Sequence, residues 1–263
     1  MNKSKTIYTN TAVANLYSSY SFSASIVSQA ILWEKLYILE EKENFYHVAG
    51  EDDYRGWIHK TQVAALYEQN FKKIVLVTLP FLYFRRRPDA QSPIVRSAVA
   101  GSALEIIKKE GAWAKCIFPD GIRGWVEDRA FSAIPELNRE NLIRYAKSFI
   151  GTPYFWGGKT AMGFDCSGFV QFVHKMFGIV IRRDAFMQFD DAKFISKEFL
   201  KAQTGDLCFF SEDSKNISHV AFYMDEGKVL HARGMIKINS LQKNDNDFDA
   251  ELLSTFVAVK SFL

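Results

Sequence analysis

Gly163-Phe164-Asp165-Cys166-Ser167-Gly168-Phe169-Val170-Gln171-Phe172-Val173 is the stretch that decides the fold of this 263-residue chain. Its apolar residues predict an amphipathic helix whose first turn holds the cysteine. Backbone N–H groups at a helix start favour negative charge, so the pattern predicts a thiolate of lowered pKa and, later in the reaction, a site for an oxyanion. A lone cysteine is more often inert core than nucleophile, so Cys166 requires partners.

Two histidines downstream supply candidate partners. A strand beginning near His219 and a second strand carrying His231 are predicted on either side of a tight turn at Gly227-Lys228. Histidines on neighbouring antiparallel strands can lie side by side on one face. His219 could then take the proton of Cys166 while His231 orients the ring of His219, which is the logic of a catalytic triad.

The same three side chains could instead bind zinc, for which cysteine and histidine are common ligands. A fourth ligand is not evident, and the Asp165 and Ser167 flanks suit a substrate pocket better than a metal shell. We therefore expect no metal. Cys116 and Cys208 lie in apolar strand segments and are interpreted as buried bystanders.

The first half of the chain contains an internal repeat. Arg55-Gly56-Trp57-Ile58 recurs as Arg123-Gly124-Trp125-Val126, an offset of 125 − 57 = 68 residues that also pairs other positions of the two copies. Short segments bounded by turn residues predict strands, so each copy is expected to form a small β-barrel. The predicted boundaries are residues 7–67 and 74–134. The aromatic residues expected to fill the two cores are Phe45, Trp57, Trp113 and Trp125.

Composition and charge exclude several classes of protein. The 33 Lys and Arg against 30 Asp and Glu leave a net charge of +3, too balanced for a nucleic-acid-binding protein. Arg85-Arg86-Arg87 is interpreted as a solvated loop, with a weak contact to an acidic polymer as the alternative. No apolar run is long enough to span a membrane, and three widely spaced cysteines argue against a disulfide framework. Residues 1–11 lack the apolar core of a signal peptide, so we expect a cytoplasmic protein, with export by another route as the alternative.

Five ordered motifs of the second half together resemble the NlpC family of peptidoglycan cysteine peptidases. They are Gly151-Thr-Pro-Tyr-x-Trp-Gly-Gly, Asp165-Cys166-Ser167-Gly168-Phe169, Gly205-Asp206-Leu, His219-Val and His231-Ala. The resemblance covers about residues 138–263, and the two repeats before it resemble bacterial SH3 domains. It implies an α+β fold in which a papain-like catalytic domain follows two small SH3-like β-barrels, and it implies that no cofactor is used.

Two barrels before the peptidase are typical of the subgroup that cleaves between γ-D-glutamate and a diamino acid, in stem peptides with a free N-terminal L-alanine. The resemblance therefore implies peptidoglycan stem peptides or muropeptides as substrates, and we expect a monomer. Cys166 would attack the γ-carbonyl of D-glutamate. Two alternatives stay open: an acyltransferase or amidase using the same acyl-enzyme, and a wall-binding protein whose peptidase half has decayed.

The resemblance also implies roles for residues around the triad. Tyr154 would donate its hydroxyl to the oxyanion or the substrate, and Trp156 would wall the pocket. Asp165 and Ser167 would bind the ammonium group of L-alanine. Tyr54, just before the Arg-Gly-Trp motif of the first repeat, would reach the same pocket.

Two positions depart from the pattern of the family. Tyr17-Ser18-Ser19-Tyr20 stands where relatives carry an Arg-x-Glu-Pro-like segment, so a carboxylate that could help to bind the amine is missing. Ala185 stands where the family often has serine, which removes a hydrogen bond in the pocket. Neither change touches the triad, so we expect activity with altered substrate preference.

Overall fold

The chain divides into two compact units, Met1–Ile134 and Pro135–Leu263. The structure is a computed structural model that describes residues 5–67 and 74–263. The first unit holds both repeats, and the second holds the predicted catalytic region. Within the described ranges, no helix is long and apolar enough to cross a membrane.

The first repeat forms one antiparallel sheet around a small core. Its strands are β1 (Thr6–Thr9), β2 (Val13–Tyr17), β3 (Ile26–Ile31), β4 (Lys35–Lys42), β5 (Phe45–Ala49), β6 (Arg55–His59) and β7 (Val63–Ala64). They are ordered β3-β2-β6-β5-β4-β1-β7. Ala30 of β3 and Ile7 of β1 lie far apart in this order but share one core with Leu36 and Ile58. The sheet therefore curls around that core.

The second repeat forms a six-stranded antiparallel sheet with the same arrangement. Its strands are β8 (Ile74–Leu76), β9 (Phe81–Arg85), β10 (Ile94–Val99), β11 (Ala103–Glu110), β12 (Trp113–Ile117) and β13 (Arg123–Glu127). The order β10-β9-β13-β12-β11-β8 matches that of the first repeat without its last strand. β10 begins 94 − 26 = 68 residues after β3, and β12 begins 113 − 45 = 68 residues after β5. The predicted repeat is therefore confirmed.

Aromatic residues fill the two cores only in part. Phe45 and Trp125 are buried, with 5% and 7% of their surface exposed. Trp57 and Trp113 are half-buried. Burial alternates along β6, so that Trp57 lies on the face opposite the core, where it stacks on His47 with ring centroids 5.0 Å apart. The prediction that all four aromatic residues fill the cores was wrong for these two tryptophans.

The two repeats contact each other within the first unit. Leu32 of the first repeat packs into the core of the second. Nε1 of Trp33 donates to the carbonyl of Ile117 at 3.2 Å. Nδ2 of Asn10 donates to Oδ2 of Asp120 at 2.9 Å. Apolar burial and paired polar groups therefore join the repeats into one unit.

The second unit combines helices with one antiparallel sheet, which confirms the α+β fold class. Its helices are α1 (Arg139–Lys147), α2 (Cys166–Met176), α3 (Ala185–Asp191) and α4 (Ala250–Ser254). A two-stranded ladder is formed by β14 (Lys159–Thr160) and β15 (Gly163–Phe164). The main strands are β16 (Lys193–Ser196), β17 (Leu207–Phe210), β18 (His219–Tyr223), β19 (Lys228–Arg233), β20 (Met235–Ser240) and β21 (Phe256–Ser261), ordered β16-β21-β17-β18-β19-β20. Helix α2 packs against β18 and β19, so its first turn lies close to the strands that carry the two histidines.

Candidate active site

Cys166 lies in the first turn of α2, whose start is fixed by the preceding residue. Oδ1 of Asp165 accepts the backbone N–H of Gly168 at 2.7 Å, which caps the helix. The backbone N–H groups of Ser167 and Val220 lie within hydrogen-bonding reach of the Cys166 sulfur. The sulfur therefore lies beside the start of β18, the strand that carries the first histidine.

The Cys166 thiol is protonated at rest. Burial raises its pKa to about 12, and the charge of Asp165 acts in the same direction. The N–H groups of Val220 and Ser167 lower the pKa, as does Arg183, but by less than burial raises it. The loss of hydration destabilises the thiolate by more free energy than two N–H hydrogen bonds restore. The N–H group of Ser167 at the helix start does lower this pKa, but burial outweighs it, so the prediction of a thiolate of lowered pKa was wrong for the free enzyme.

His219 and His231 meet across β18 and β19. Nε2 of His219 lies 2.9 Å from Nδ1 of His231, and the two rings are nearly perpendicular at 83°. The strand register, which pairs Phe222 with Leu230, puts both rings on one face of the sheet. Because this hydrogen bond occupies Nε2 of His219, Nδ1 is the nitrogen that remains to accept a proton.

Both imidazoles are held in their neutral form. Burial lowers the pKa of His219 well below its ordinary value, and the nearby His231 and Arg233 side chains lower it further. Burial also lowers the pKa of His231, although a hydrogen bond to Asn239 opposes this. The resting site therefore holds a thiol and two neutral rings. Proton transfer from sulfur to imidazole must be coupled to bond formation with the substrate.

Arg183, which the sequence analysis did not select, lies at the centre of a polar cluster beside the thiol. Its Nη2 is 2.5 Å from Oδ2 of Asp165, and its Nη1 is 3.0 Å from both Oδ1 of Asp165 and Oγ of Ser167. Oδ2 of Asp165 also accepts the N–H of Gly157 at 2.9 Å. Asp165 and Ser167 are only 8% and 5% exposed. The Asp165 carboxylate thus already faces a guanidinium and the Ser167 hydroxyl is engaged. The ammonium-binding role of both residues stays a prediction.

Two glycines allow the loop before α2 to approach the helix closely. The N–H of Asp165 donates to the carbonyl of Gly158 at 3.0 Å. A Cβ atom on Gly168 would lie 2.1 Å from that same carbonyl oxygen. Gly168 is thus required for contact with the loop, since any side chain there would push the loop away.

Tyr154 lies near the thiol and stays protonated. Burial raises the pKa of its hydroxyl, and the charges of Cys166 and Asp165 raise it further. A protonated phenol can donate a hydrogen bond to a developing negative charge. Trp156, on the same loop, is 69% exposed, which leaves its ring open to a ligand. Tyr54 belongs to the first unit, and its reach to the pocket stays a prediction.

Asn239 is a second residue that the sequence analysis missed. Its Oδ1 lies 3.0 Å from Nε2 of His231. Counting forward from Gly234, which turns the chain with φ of 73°, would have placed Asn239 on the face of β20 that neighbours His231. Within residues 5–67 and 74–263, no group of three or more His, Cys, Asp or Glu side chains is arranged to hold a metal ion.

Models of known families match each part of the chain. The NlpC/P60 family model matches residues 151–250. A bacterial SH3 domain model matches residues 80–132, and a bacterial dipeptidyl-peptidase SH3 domain model matches residues 16–63.

Curated relatives cover most of the chain. It is 32% identical over 223 residues to a gamma-D-glutamyl-L-lysine dipeptidyl-peptidase of Bacillus subtilis, which covers 79% of this chain and 72% of the relative. A protein of the same name from Bacillus cereus is 29% identical over 226 residues, 78% of this chain and 66% of the relative. A solved NlpC/P60 family protein from Bacillus cereus has a TM-score of 0.84 at 22% identity and covers 98% of this chain and 99% of its own. At that identity the structural match shows a shared fold.

Proposed function

The chain belongs to the NlpC/P60 family of cysteine peptidases, and we propose that it hydrolyses the bond between the γ-carboxyl group of D-glutamate and the diamino acid of peptidoglycan stem peptides. The observation that carries the proposal is the position of the Cys166 sulfur beside the start of β18. His219 lies at that start and is hydrogen-bonded to His231. Support for the particular bond comes from two relatives, both named gamma-D-glutamyl-L-lysine dipeptidyl-peptidase.

Acylation begins with the neutral thiol. The sulfur of Cys166 attacks the γ-carbonyl carbon while Nδ1 of His219 takes the thiol proton, so no free thiolate has to form in a buried site. His231 accepts a hydrogen bond from the resulting imidazolium and keeps it in place. The imidazolium then gives its proton to the amine of the diamino acid, the carbon–nitrogen bond breaks, and a thioester to Cys166 remains.

Deacylation repeats the sequence with water. His219 takes a proton from water as the oxygen attacks the thioester, then returns that proton to the sulfur as the carbon–sulfur bond breaks. The products are a shortened stem peptide and a dipeptide that ends in the γ-carboxyl group of D-glutamate. The protein is unchanged at the end of the cycle.

The negative charge of each tetrahedral intermediate requires hydrogen-bond donors. The hydroxyl of Tyr154 is protonated and close enough to Cys166 for the two groups to interact electrostatically. The N–H of Ser167, which reaches the sulfur in the free enzyme, is the second donor in this proposal. Donors fixed in a buried site stabilise such an oxyanion strongly because they need no reorganisation.

We propose that Asp184 contributes a carboxylate to the binding of the L-alanine ammonium group, in addition to Asp165 and Ser167. Gln188 of α3 donates from Nε2 to the carbonyl of Ser167 at 3.0 Å, so α3 lies against the first turn of α2. Asp184 directly precedes α3 and is half-buried. A carboxylate beside the nucleophile would select peptides with a free N-terminal L-alanine.

Four peptides test the bond and the end group that are recognised. The full chain is incubated with L-Ala-γ-D-Glu-L-Lys, the same peptide with meso-diaminopimelate, an N-acetylated version, and the α-linked isomer. Release of L-Ala-D-Glu from the free γ-linked peptides alone is the expected result. Cleavage of the α-linked isomer at an equal rate would contradict the proposed bond. Equal cleavage of the N-acetylated peptide would contradict the selection for a free N-terminus. Asp184→Asn should weaken this selection, whereas Asp190→Asn, at an exposed position, should leave it unchanged.

The same incubation separates the alternative functions. Transfer of the dipeptide to an added amine, faster than its release into water, would identify an acyltransferase. Binding of the peptides without product, equal in wild type and Cys166→Ala, would identify a wall-binding protein. We also propose that the enzyme is a monomer and acts in the cytoplasm on muropeptides, which light scattering and cell fractionation test.

A further inference from the structure

The ring of His231 is held by a hydrogen bond at each of its nitrogen atoms. Nδ1 faces Nε2 of His219 at 2.9 Å, and Nε2 lies 3.0 Å from Oδ1 of Asn239. The residue is 0% exposed. Its protonation is therefore decided by these two neighbours and by nearby charges.

Asn239 reaches this ring because of the register between β19 and β20. Asn239 lies opposite Val229, and Lys237 lies opposite His231. Asn239 is thus the diagonal neighbour of His231 on the same face of the sheet, a separation that side chains of this length can span.

A second hydrogen bond fixes which end of the Asn239 amide faces the histidine. Nδ2 donates to the backbone carbonyl of Asp247 at 3.3 Å. The same carbonyl accepts the N–H of Ser240 at 2.8 Å, and Oγ of Ser240 bonds to Oδ2 of Asp245 at 2.6 Å. Asp245 and Asp247 belong to the loop that follows β20, and these hydrogen bonds anchor that loop to the strand. The amide nitrogen of Asn239 therefore points towards the loop, and its amide oxygen points towards the ring of His231.

The direction of each hydrogen bond then follows from elementary chemistry. An amide oxygen can only accept, so Nε2 of His231 must carry hydrogen, and Nδ1 of this neutral ring must carry the lone pair. That lone pair accepts from Nε2–H of His219, which leaves the lone pair of His219 on Nδ1. We propose that Asn239 is a positioning residue that sets the tautomers of both histidines, so that the base of the proposed peptidase offers its free nitrogen to the thiol. Its use in catalysis rests on the proposed function.

A neutral amide suits this position better than a carboxylate would. The charged groups near His231 are Arg233 on β19, Lys237 on β20 and Asp249, which caps α4. Burial and the two cations keep the pKa of His231 low. His231 therefore accepts a hydrogen bond from the His219 imidazolium without removing its proton, which must return to the leaving group.

The direct test is the protonation of the two rings in the full chain without substrate. Nitrogen-15 NMR distinguishes Nδ1 from Nε2 in neutral histidines, and His219→Gln and His231→Gln assign the signals. The expected result is hydrogen on Nε2 of both residues. Hydrogen on Nδ1 of either residue would overturn the proposal. If a variant does not fold, the coupling between Nε2 of His219 and Nδ1 of His231 through their hydrogen bond assigns both residues in the wild-type spectrum.

Variants of Asn239 test the consequence for turnover. Asn239→Leu should lower kcat by about 10–100-fold with little change in KM, a loss of the size seen when the partner that orients a metal-bound histidine is removed. Asn239→Asp keeps an acceptor for Nε2–H and should restore most of kcat, but it should move the acidic limb of the kcat profile to higher pH, because a carboxylate raises the pKa of nearby imidazoles. Asn244→Leu, at an exposed position of the loop that follows β20, is the matched control.

An unchanged kcat and unchanged tautomers in Asn239→Leu would overturn the inference. The two proposals fail in different ways. A wild-type protein that cleaves no stem peptide overturns the proposed function, whereas the tautomers are measured without substrate and decide the role of Asn239 separately.

Discussion

Arg183 forms a buried ion pair with Asp165, the residue immediately before the candidate nucleophile, with Nη2 2.5 Å from Oδ2. The Arg183 side chain is 1% exposed and the Asp165 side chain 11%. The same carboxylate caps α2 and holds the N–H of Gly157. One ion pair thus joins the loop before the helix, the first turn of the helix and the segment that leads to α3.

Arg183→Met should destabilise the second unit strongly. It leaves the Asp165 carboxylate buried without a counter-charge, which costs about 3–5 kcal/mol in comparable cases. Urea unfolding followed by circular dichroism measures the loss. The adjacent Arg182 is the matched control, because its pair with Asp191 is about 40% exposed on both sides and such pairs contribute at most about 1 kcal/mol. Equal losses in Arg183→Met and Arg182→Met would contradict the structural role of the buried pair.

Alkylation by iodoacetamide should reveal a thiol of high pKa at Cys166. Since burial raises that pKa to about 12, the rate in the absence of substrate should keep rising with pH beyond 9. Cys166→Ala identifies the contribution of this residue, because Cys116 and Cys208 are fully buried. A rate that is already constant between pH 6 and 8 would mean a stable thiolate, against the neutral resting state.

Tyr154→Phe should lower kcat by about 100-fold or more, the usual loss when one oxyanion donor is removed from a buried site. KM should change little if the hydroxyl acts mainly on the intermediate. Tyr145→Phe is a suitable control, since its hydroxyl is buried and has no hydrogen-bond partner among the described residues. A Tyr154→Phe enzyme with normal kcat would remove the hydroxyl from the mechanism.

His174 should make the fold sensitive to acid. It is buried on α2, its Nδ1 bonds to the carbonyl of Val170 at 2.8 Å, and burial lowers its pKa to about 4. Because the unfolded state binds a proton below about pH 6.5 and the folded state only below about 4, stability is lost as pH falls between these values. The loss from this ring between pH 7 and pH 5 is about 2 kcal/mol.

His174→Leu should remove that part of the acid sensitivity. The free energy of unfolding, measured at pH 7 and pH 5, should then fall less in the variant than in the wild type. His219 and His231 also have lowered pKa values, so some sensitivity remains. An identical fall in both proteins would show that His174 is not the buried neutral ring described above.

Local patterns predicted the parts of the molecule that depend on neighbours in sequence. The start of α2 at Cys166 follows from the apolar residues at helical spacing in the segment after it. The 68-residue repeat follows from recurring glycine and tryptophan positions. The approach of His219 to His231 follows from a short turn between two strands.

Tertiary packing decided what those patterns could not predict. The ion pair of Asp165 with Arg183 spans 18 positions, and the sequence also offered Arg182 as an equivalent arginine. The protonated state of Cys166 depends on how deeply other elements bury the start of α2. This burial raises the pKa of the thiol more than the N–H groups of the helix start lower it. The outward position of Trp57 depends on which face of β6 meets the core.

The measurement that tests the central claim most directly is the mass of the acyl-enzyme. The full chain is mixed with L-Ala-γ-D-Glu-L-Lys, quenched in acid within one turnover, digested and analysed by mass spectrometry, with Cys166→Ala and Cys208→Ala in parallel. The account predicts one L-Ala-D-Glu acyl group on the peptide that contains Cys166 in wild type and Cys208→Ala, and no acyl group or product from Cys166→Ala. Continued release of L-Ala-D-Glu by Cys166→Ala would contradict it.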